Sequence, residues 1–299
     1  MKGQATARLL PHAAYCQKPT NLFLVRHGAR LDFVRPEWKL EAEELGHEFR
    51  DPPLSILGHR QARETAAYIS VLPDHEKPAR LLTSPFLRVI QTAAPTADAL
   101  GLPLEVEEGL AETHYIPNRL PSPAERFPYF PQLKPTSLSA LLPSTDELDF
   151  ATGLPSESFP RGYLNRQLLF APILSKIVDG SNVCCFSHAA SVALVAALLL
   201  RPSSEDLNDA EKDQSGILAA SEETQRHKDL STVGAFAPCG IYHLRAKGGG
   251  APWELVRSGG TNEPYVTENH PSTFPWSHDL DHDALWKKLV AASTSVELK

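Results

Sequence analysis

The sequence predicts an α/β protein: a three-layer αβα sandwich with a mostly parallel central sheet and an inserted lid. Three observations carry this. Short apolar runs alternate with helical stretches along most of the chain, the pattern of strands joined by helical crossovers. The first and fourth runs stop abruptly at Arg26-His27-Gly28 and Ser187-His188, and a buried strand tolerates such an end where the sheet edge opens into a site. The run Ala189 to Leu200 is apolar almost all round, which in a helix means burial.

Taken in order, Leu22-Phe23-Leu24-Val25 is the first strand, and Gly28 permits a tight turn and close backbone approach just beyond it. Leu31 to Pro53 is mixed and charged and reads as an irregular excursion over the active face, with a helical turn near Glu41 to Leu45. A helix opens at Leu54 with Ser55 as N-cap and keeps an apolar stripe through Ile56, Ala62, Ala66 and Ile69 until Pro73. Ala79 to Thr83 is the second strand. Ser84 and Pro85 read as the N-cap and first position of a helix through Val89, Ile90, Ala93, Ala97 and Leu100, kinked at Pro95 and closed by Gly101. Arg88 falls in its first turn, facing the same sheet edge as His27, where the helix amino terminus adds attraction for an anion. Leu102 to Val106 is the third strand, and Gly109 to Glu112 its exit loop.

Residues 113–156, rich in proline and carrying Tyr115, Phe127, Tyr129 and Phe130, read as a lid or cap over the site. Glu157 to Val178 has a helical apolar pattern and Val183 to Phe186 is the fourth strand. Residues 201–233 lack apolar periodicity and read as a flexible surface insertion. Ala235 to Leu244 and Trp253 to Val256 form a hairpin across Lys247-Gly248-Gly249-Gly250, and Asp281 to Val290 reads as a terminal helix. Residues 1–20 are expected to be a flexible N-terminus, and residues 21–299 a single domain.

A chain of 299 residues with 42% apolar content buries a sizeable core. A net charge of −7 argues against direct nucleic-acid binding, yet it leaves room for local arginines to hold an anion. The four cysteines, Cys16, Cys184, Cys185 and Cys239, form no CxxC pair, so no metal site is expected, and Cys184 and Cys185 read as small buried residues. The longest apolar run falls short of the roughly 20 residues that span a bilayer. The expected setting is reduced and cytoplasmic, with the nucleus as the alternative.

A histidine flanked by Arg26 and Arg30 at a strand end suggests phosphoryl transfer, with imidazole as nucleophile and guanidinium groups holding phosphate. Five ordered segments add to this: Arg26-His27-Gly28, Leu54-Ser55-x-x-Gly58-x-x-Gln61-Ala62, Ser84-Pro85-x-x-Arg88-x-x-Gln91-Thr92-Ala93, Gly109-Leu110-x-Glu112 and Ser187-His188-Ala189. Together they resemble the histidine phosphatase (phosphoglycerate mutase-like) superfamily over about Asn21 to Leu200. The resemblance implies that His27 attacks phosphorus. It implies that Arg26, Arg88 and His188 hold the phosphoryl oxygens, with Arg30 as a fourth ligand. Glu112 would protonate the leaving oxygen and then activate water. His47, His59, His75 and His114 read as solvated, with His114 also a candidate to line the pocket.

Within that superfamily, acid phosphatases and phytases carry Arg-His-Gly-x-Arg-x-Pro and a His-Asp pair. Here Asp32 stands where that proline would, and Ala189 follows His188, which leaves the mutase-like branch. Glu112-Thr113-His114-Tyr115-Ile116-Pro117 departs from the Glu-Arg-His-Tyr-Gly type segment of true mutases. Arg26 to Asp32 looks closer to the suppressor-of-T-cell-receptor-signalling and ecdysteroid-phosphate phosphatases, and to the phosphatase-like domain of a fungal transcription factor IIIC tau subunit. The expected function is therefore metal-independent, cofactor-free hydrolysis of a phosphomonoester through phosphohistidine on His27. The alternatives are a catalytically weak assembly subunit on the same fold and a phosphoglycerate-type mutase. The expected partner is a phosphorylated small molecule or a phosphotyrosine-type substrate, with no membrane partner. A homodimer or an assembly partner fits the same relatives.

Overall fold

Residues 19–112, 120–135, 170–178, 180–200, 237–248, 252–258 and 263–269 are described by the computed structural model. The first strand, β1 (Thr20–Arg26), is buried along its whole length, because it lies deep in a six-stranded sheet. The other strands are β2 (Arg80–Thr83), β3 (Leu104–Val106), β4 (Val183–Ser187), β5 (Ile241–Ala246) and β6 (Trp253–Arg257), in the spatial order β3-β2-β4-β1-β5-β6. The pairs β3–β2, β2–β4 and β4–β1 are parallel. β5 and β6 add an antiparallel hairpin on the far side of β1.

Side chains alternate across β1 and divide the core in two. Leu22 and Leu24, with Val183, Cys185 and Leu82, face Phe170 and Leu174 of helix α5 (residues 170–177) and Val192 and Val195 of α6 (Ala189–Leu199). Phe23 and Val25, with Leu81, Cys184 and Phe186, face Ile69 of α2 (Ile56–Ser70) and Val89, Ile90 and Ala93 of α3 (Leu87–Leu100). Helices on both faces of a mostly parallel sheet give the expected three-layer sandwich. Cys184, Cys185 and Cys239 are free, buried thiols. Among the described residues no helix is long and apolar enough to cross a membrane.

Two local readings change. Leu31 to Pro53 carries more order than one helical turn, with a short 3-10 helix Leu31–Phe33 and α1 (Trp38–Glu44). Ser84 does not cap α3, which begins at Leu87 with Phe86 as an N-cap that makes no side-chain bond. The Ser84 hydroxyl is instead 2.8 Å from His188 Nε2, and the first amide of α3, Leu87 N–H, donates to Asp51 Oδ1 at 2.7 Å. Arg88 still lies in the first turn. The helix continues through Pro95 and ends at Gly101 in the left-handed region.

Of the lid stretch, residues 120–135 are described. They hold the short helix α4 (Pro123–Arg126), with a capping box between Ser122 and Glu125. They are tied to the sheet edge where Leu104 N–H donates to Gln132 O and Lys134 N–H donates to Leu104 O. The expected flexible N-terminus, the rest of the expected lid, residues 157–169 of the expected helix Glu157 to Val178, the expected insertion 201–233, the expected terminal helix, Cys16 and His114 lie outside the described residues.

Candidate active site

The site begins where β1 ends. His27 N–H donates to Ser187 O at 2.9 Å, carrying the β1–β4 pairing one residue further. Cys239 N–H reaches Arg26 O and His27 O from the other side. The turn that follows is built against two helix starts. A Cβ on Gly28 would sit 2.7 Å from Gly58 O, and one on Gly58 would sit 2.2 Å from Ala29 O, so both positions need glycine. Ser55 caps α2 through Gly58 N–H at 3.1 Å, while its own hydroxyl and amide donate to Ala29 O. Gln61 Oε1 accepts Ala29 N–H at 2.9 Å. Thr92 Oγ1, held by Arg88 O, accepts Gly28 N–H at 3.0 Å, and Gln91 Oε1 accepts Leu54 N–H. The polar residues that recur along α2 and α3 thus serve the backbone of the 27–30 turn and of Leu54 at the start of α2.

His27 is almost fully buried. Its Nδ1 lies 2.8 Å from Gly28 O. A carbonyl only accepts, so Nδ1 carries the proton and Nε2 presents a lone pair. Burial, then the charges of Arg88 and Arg26, push its pKa well below the usual histidine value, so the ring is neutral at pH 7. His188 stands edge-on to it, ring centroids 5.4 Å apart, and edge-on to Phe86 at 4.9 Å.

Arg88 is completely enclosed. Its Nη1 donates to Arg50 O at 3.2 Å, and its Nη2 is 3.2 Å from His188 Nδ1 and 3.8 Å from Glu112 Oε2. The guanidinium lies over the Phe86 ring, 4.5 Å from its centroid. Arg26 is equally buried. Burial, then Arg30, lowers both guanidinium pKa values to about 10, which leaves both charged at pH 7.

Glu112 joins this group, its Oε2 3.3 Å from His188 Nδ1. The loop that carries it is fixed from below: Ser187 Oγ donates to Leu110 O at 2.6 Å, and Ser191 Oγ donates to Ala111 O at 3.0 Å. Its neighbour Glu107 is spent locally, its Oε1 accepting Gly109 N–H. Arg30 stands at the rim, half-buried, paired through Nε and Nη2 with Asp32 and lying over Phe33. The structure therefore brings Arg26, His27, Arg88, Glu112 and His188 together and leaves Arg30 at the edge of the group, engaged with Asp32.

Sequence reading missed Asp51. Its buried carboxylate takes Leu87 N–H and Arg126 Nη2, each at 2.7 Å, and lies 3.8 Å from Arg88 Nη1. Its one local signal is an acid before Pro52-Pro53, just upstream of an N-cap. Among the described residues no three His, Cys, Asp or Glu side chains converge as a metal set.

Over 100 residues the chain is 34% identical to the transcription factor tau 55 kDa subunit of Saccharomyces cerevisiae, a match covering 33% of this chain and 22% of that protein. The chain thus spans about a fifth of the curated relative it matches. The solved ecdysone phosphate phosphatase of Bombyx mori, in complex with tungstate, superposes with a TM-score of 0.50 at 18% identity, over 86% of this chain and 98% of that one. A mycobacterial glucosyl-3-phosphoglycerate phosphatase gives 0.46 at 16% identity, over 81% and 99%. At 18% identity the likeness to the ecdysone phosphate phosphatase speaks for the fold alone. Residues 22–147 match the histidine phosphatase superfamily (branch 1), a stretch that holds four of the five clustered residues.

Proposed function

We propose that this chain hydrolyses phosphomonoesters through a phosphohistidine intermediate on His27. One observation carries the proposal: His27 is held as a neutral imidazole by Gly28 O, its Nε2 lone pair among buried guanidinium groups. A neutral nitrogen nucleophile in a cationic pocket suits a dianionic phosphoryl group. Nε2 attacks phosphorus, the P–O ester bond breaks, and the leaving oxygen takes the proton of the Glu112 carboxylic acid. In the second half, water attacks phosphorus, Glu112 takes its proton, and the P–N bond breaks to release phosphate and neutral His27. Arg26, Arg88 and His188 hold the equatorial oxygens, and the two guanidinium groups supply the charge the transition state needs, so no metal is required.

The test is hydrolysis of p-nitrophenyl phosphate from pH 4 to 8 in EDTA, with wild type beside His27→Ala and Glu112→Gln. Turnover that survives EDTA, vanishes without His27 and falls at least about 100-fold without the acid is the expected result. Turnover that EDTA abolishes, or that persists in His27→Ala, would falsify the mechanism.

A second reading has its own observation. The 34% match to the tau 55 kDa subunit favours a phosphatase fold kept as an assembly part. Absence of turnover on phosphotyrosine and small phosphomonoesters, together with retention on large partner subunits, would select it.

A further inference from the structure

We infer that Asp51 is a positioning residue that sets Arg88 for the anion, and that Arg126 couples the 120–135 segment to that setting. The inference rests on the reading of Arg88 as a phosphate ligand. Arg88 is gripped from two sides. Its Nη2 faces His188 and Glu112, the reacting side. Its Nη1 faces Arg50 O and the Asp51 carboxylate. Asp51 cannot bind a phosphate itself, since like charges repel. Its oxygens are already taken, Oδ1 by the Leu87 amide and Oδ2 by Arg126. It therefore fixes both the start of α3, which has no cap of its own, and the far end of the guanidinium that α3 carries.

Arg126 makes the link longer. It is a buried cation, its Nη2 2.7 Å from Asp51 and its Nε donating to Pro121 O at 3.3 Å. It sits at the end of a helix started by the Ser122–Glu125 capping box, in a segment anchored to β3. A shift of that segment moves Arg126, and Asp51 then loses the partner that holds one of its oxygens. The carboxylate would turn toward Arg88 and pull the guanidinium off the reacting side. The 120–135 segment thus acts on the anion site with no residue of its own in it.

The experiment measures tungstate and inorganic phosphate affinity by calorimetry, together with KM and kcat for p-nitrophenyl phosphate. Asp51→Asn keeps an acceptor for Leu87 N–H and removes the charge. It should weaken both anions about tenfold, the cost of misplacing one charge-assisted contact, and raise KM more than it lowers kcat. In an Arg88→Lys background the same change should alter affinity less than about twofold, since the fork it positions is gone. Arg126→Met should weaken anion binding in the same direction, and Arg126→Lys should restore part of it. Wild-type affinity in Asp51→Asn, or an equal loss in the Arg88→Lys background, would overturn the inference. Should Asp51→Asn fold poorly, unchanged affinity in Arg126→Met would overturn it equally. Tungstate binding without turnover in wild type would remove the hydrolytic reading and leave this role to be decided by the same affinities. Wild type that binds neither anion would overturn both.

Discussion

Gly58→Ala puts one methyl group between the α2 helix and the turn that carries His27. The added Cβ would lie 2.2 Å from Ala29 O and 3.0 Å from Ala29 N. Both obstacles are backbone, so relief needs a separation of roughly 1 Å between helix and turn. The carbonyl cannot swing aside freely, since it accepts from Ser55 N–H at 2.9 Å and from the Ser55 hydroxyl at 3.0 Å. Two effects oppose each other. Alanine gains about 1 kcal/mol of helix propensity over glycine, while overpacking of this kind costs about 1–3 kcal/mol. With backbone on both sides the cost should lie at the upper end, leaving a net loss of about 2 kcal/mol, or several degrees in Tm. Activity should suffer more, because a displacement of about 1 Å at a reacting group costs about 100-fold. Gly101→Ala is the control. Gly101 has φ +64° and no atom near its added Cβ, so its cost is about 1 kcal/mol of left-handed strain, with kcat unchanged. Thermal melts and kcat/KM for p-nitrophenyl phosphate on both variants check this. A Gly58→Ala protein as active and as stable as wild type would refute the close-approach argument.

Other expectations come from the same network. Ser84→Ala strips His188 Nε2 of its 2.8 Å partner; we expect about 1–3 kcal/mol of lost stability and a drop in kcat of about tenfold, and an unchanged kcat would remove Ser84 from the orientation of His188. Asp32→Asn releases Arg30 from a half-exposed pair, so Tm should move little, by less than about 1 kcal/mol of stability, while KM changes; an unchanged KM in both Asp32→Asn and Arg30→Ala would take Arg30 out of substrate binding. His243 stacks on Phe23 and donates through Nε2 to Asn21, and burial followed by Arg245 depresses its pKa to about 4. A depressed histidine contributes stability that is present above its unfolded pKa near 6.5 and is lost as pH falls from there toward about 4. His243→Phe should therefore flatten the Tm-against-pH curve between those limits relative to wild type, after a constant loss of about 1 kcal/mol for the Asn21 bond; parallel curves would contradict it.

How far the sequence exposes all this depends on how local each cause is. β1 is legible because four apolar residues in a row admit few other readings, and the charged stop after it marks the site. Ser55 is legible as an N-cap because its partner, Gly58, is three residues away. Ser84 reads equally well as a cap, with a proline beside it, yet its hydroxyl goes to a histidine just past β4 and the helix takes its first acceptor from Asp51. No local pattern separates those two outcomes, because the competing partners are 104 and 36 residues away. Glu107, Glu108 and Glu112 look alike in the sequence. The fold separates them, since Glu107 caps the 3-10 turn and Glu112 alone of these reaches His188 and Arg88. Arg30 is legible as an arginine near the nucleophile, but in the sequence Asp32, its bidentate partner two residues on, reads as part of a motif rather than as a competitor for its charge.

The same point explains why so many motif residues are spent on backbone rather than on the clustered side chains. Ser55, Gln61, Gln91 and Thr92 bond to backbone at residues 28, 29 and 54. The polar groups that do line the site are few, and two are guanidinium groups whose pKa values are pulled down to about 10. Burial is the larger cause of that depression and the charge of Arg30 the next, so an anion placed among the guanidinium groups would favour their charged forms. Such a field is useful only if the charges cannot relax by swinging apart before the anion comes. Arg88 cannot, because Arg50 O, Asp51, Phe86, His188 and Glu112 enclose it. Rigidity of the turn at residues 27–30 and confinement of Arg88 are therefore one requirement. It is met by residues that never touch substrate, and it is why the site's chemistry reads from five residues while its geometry needs a second set at least as large.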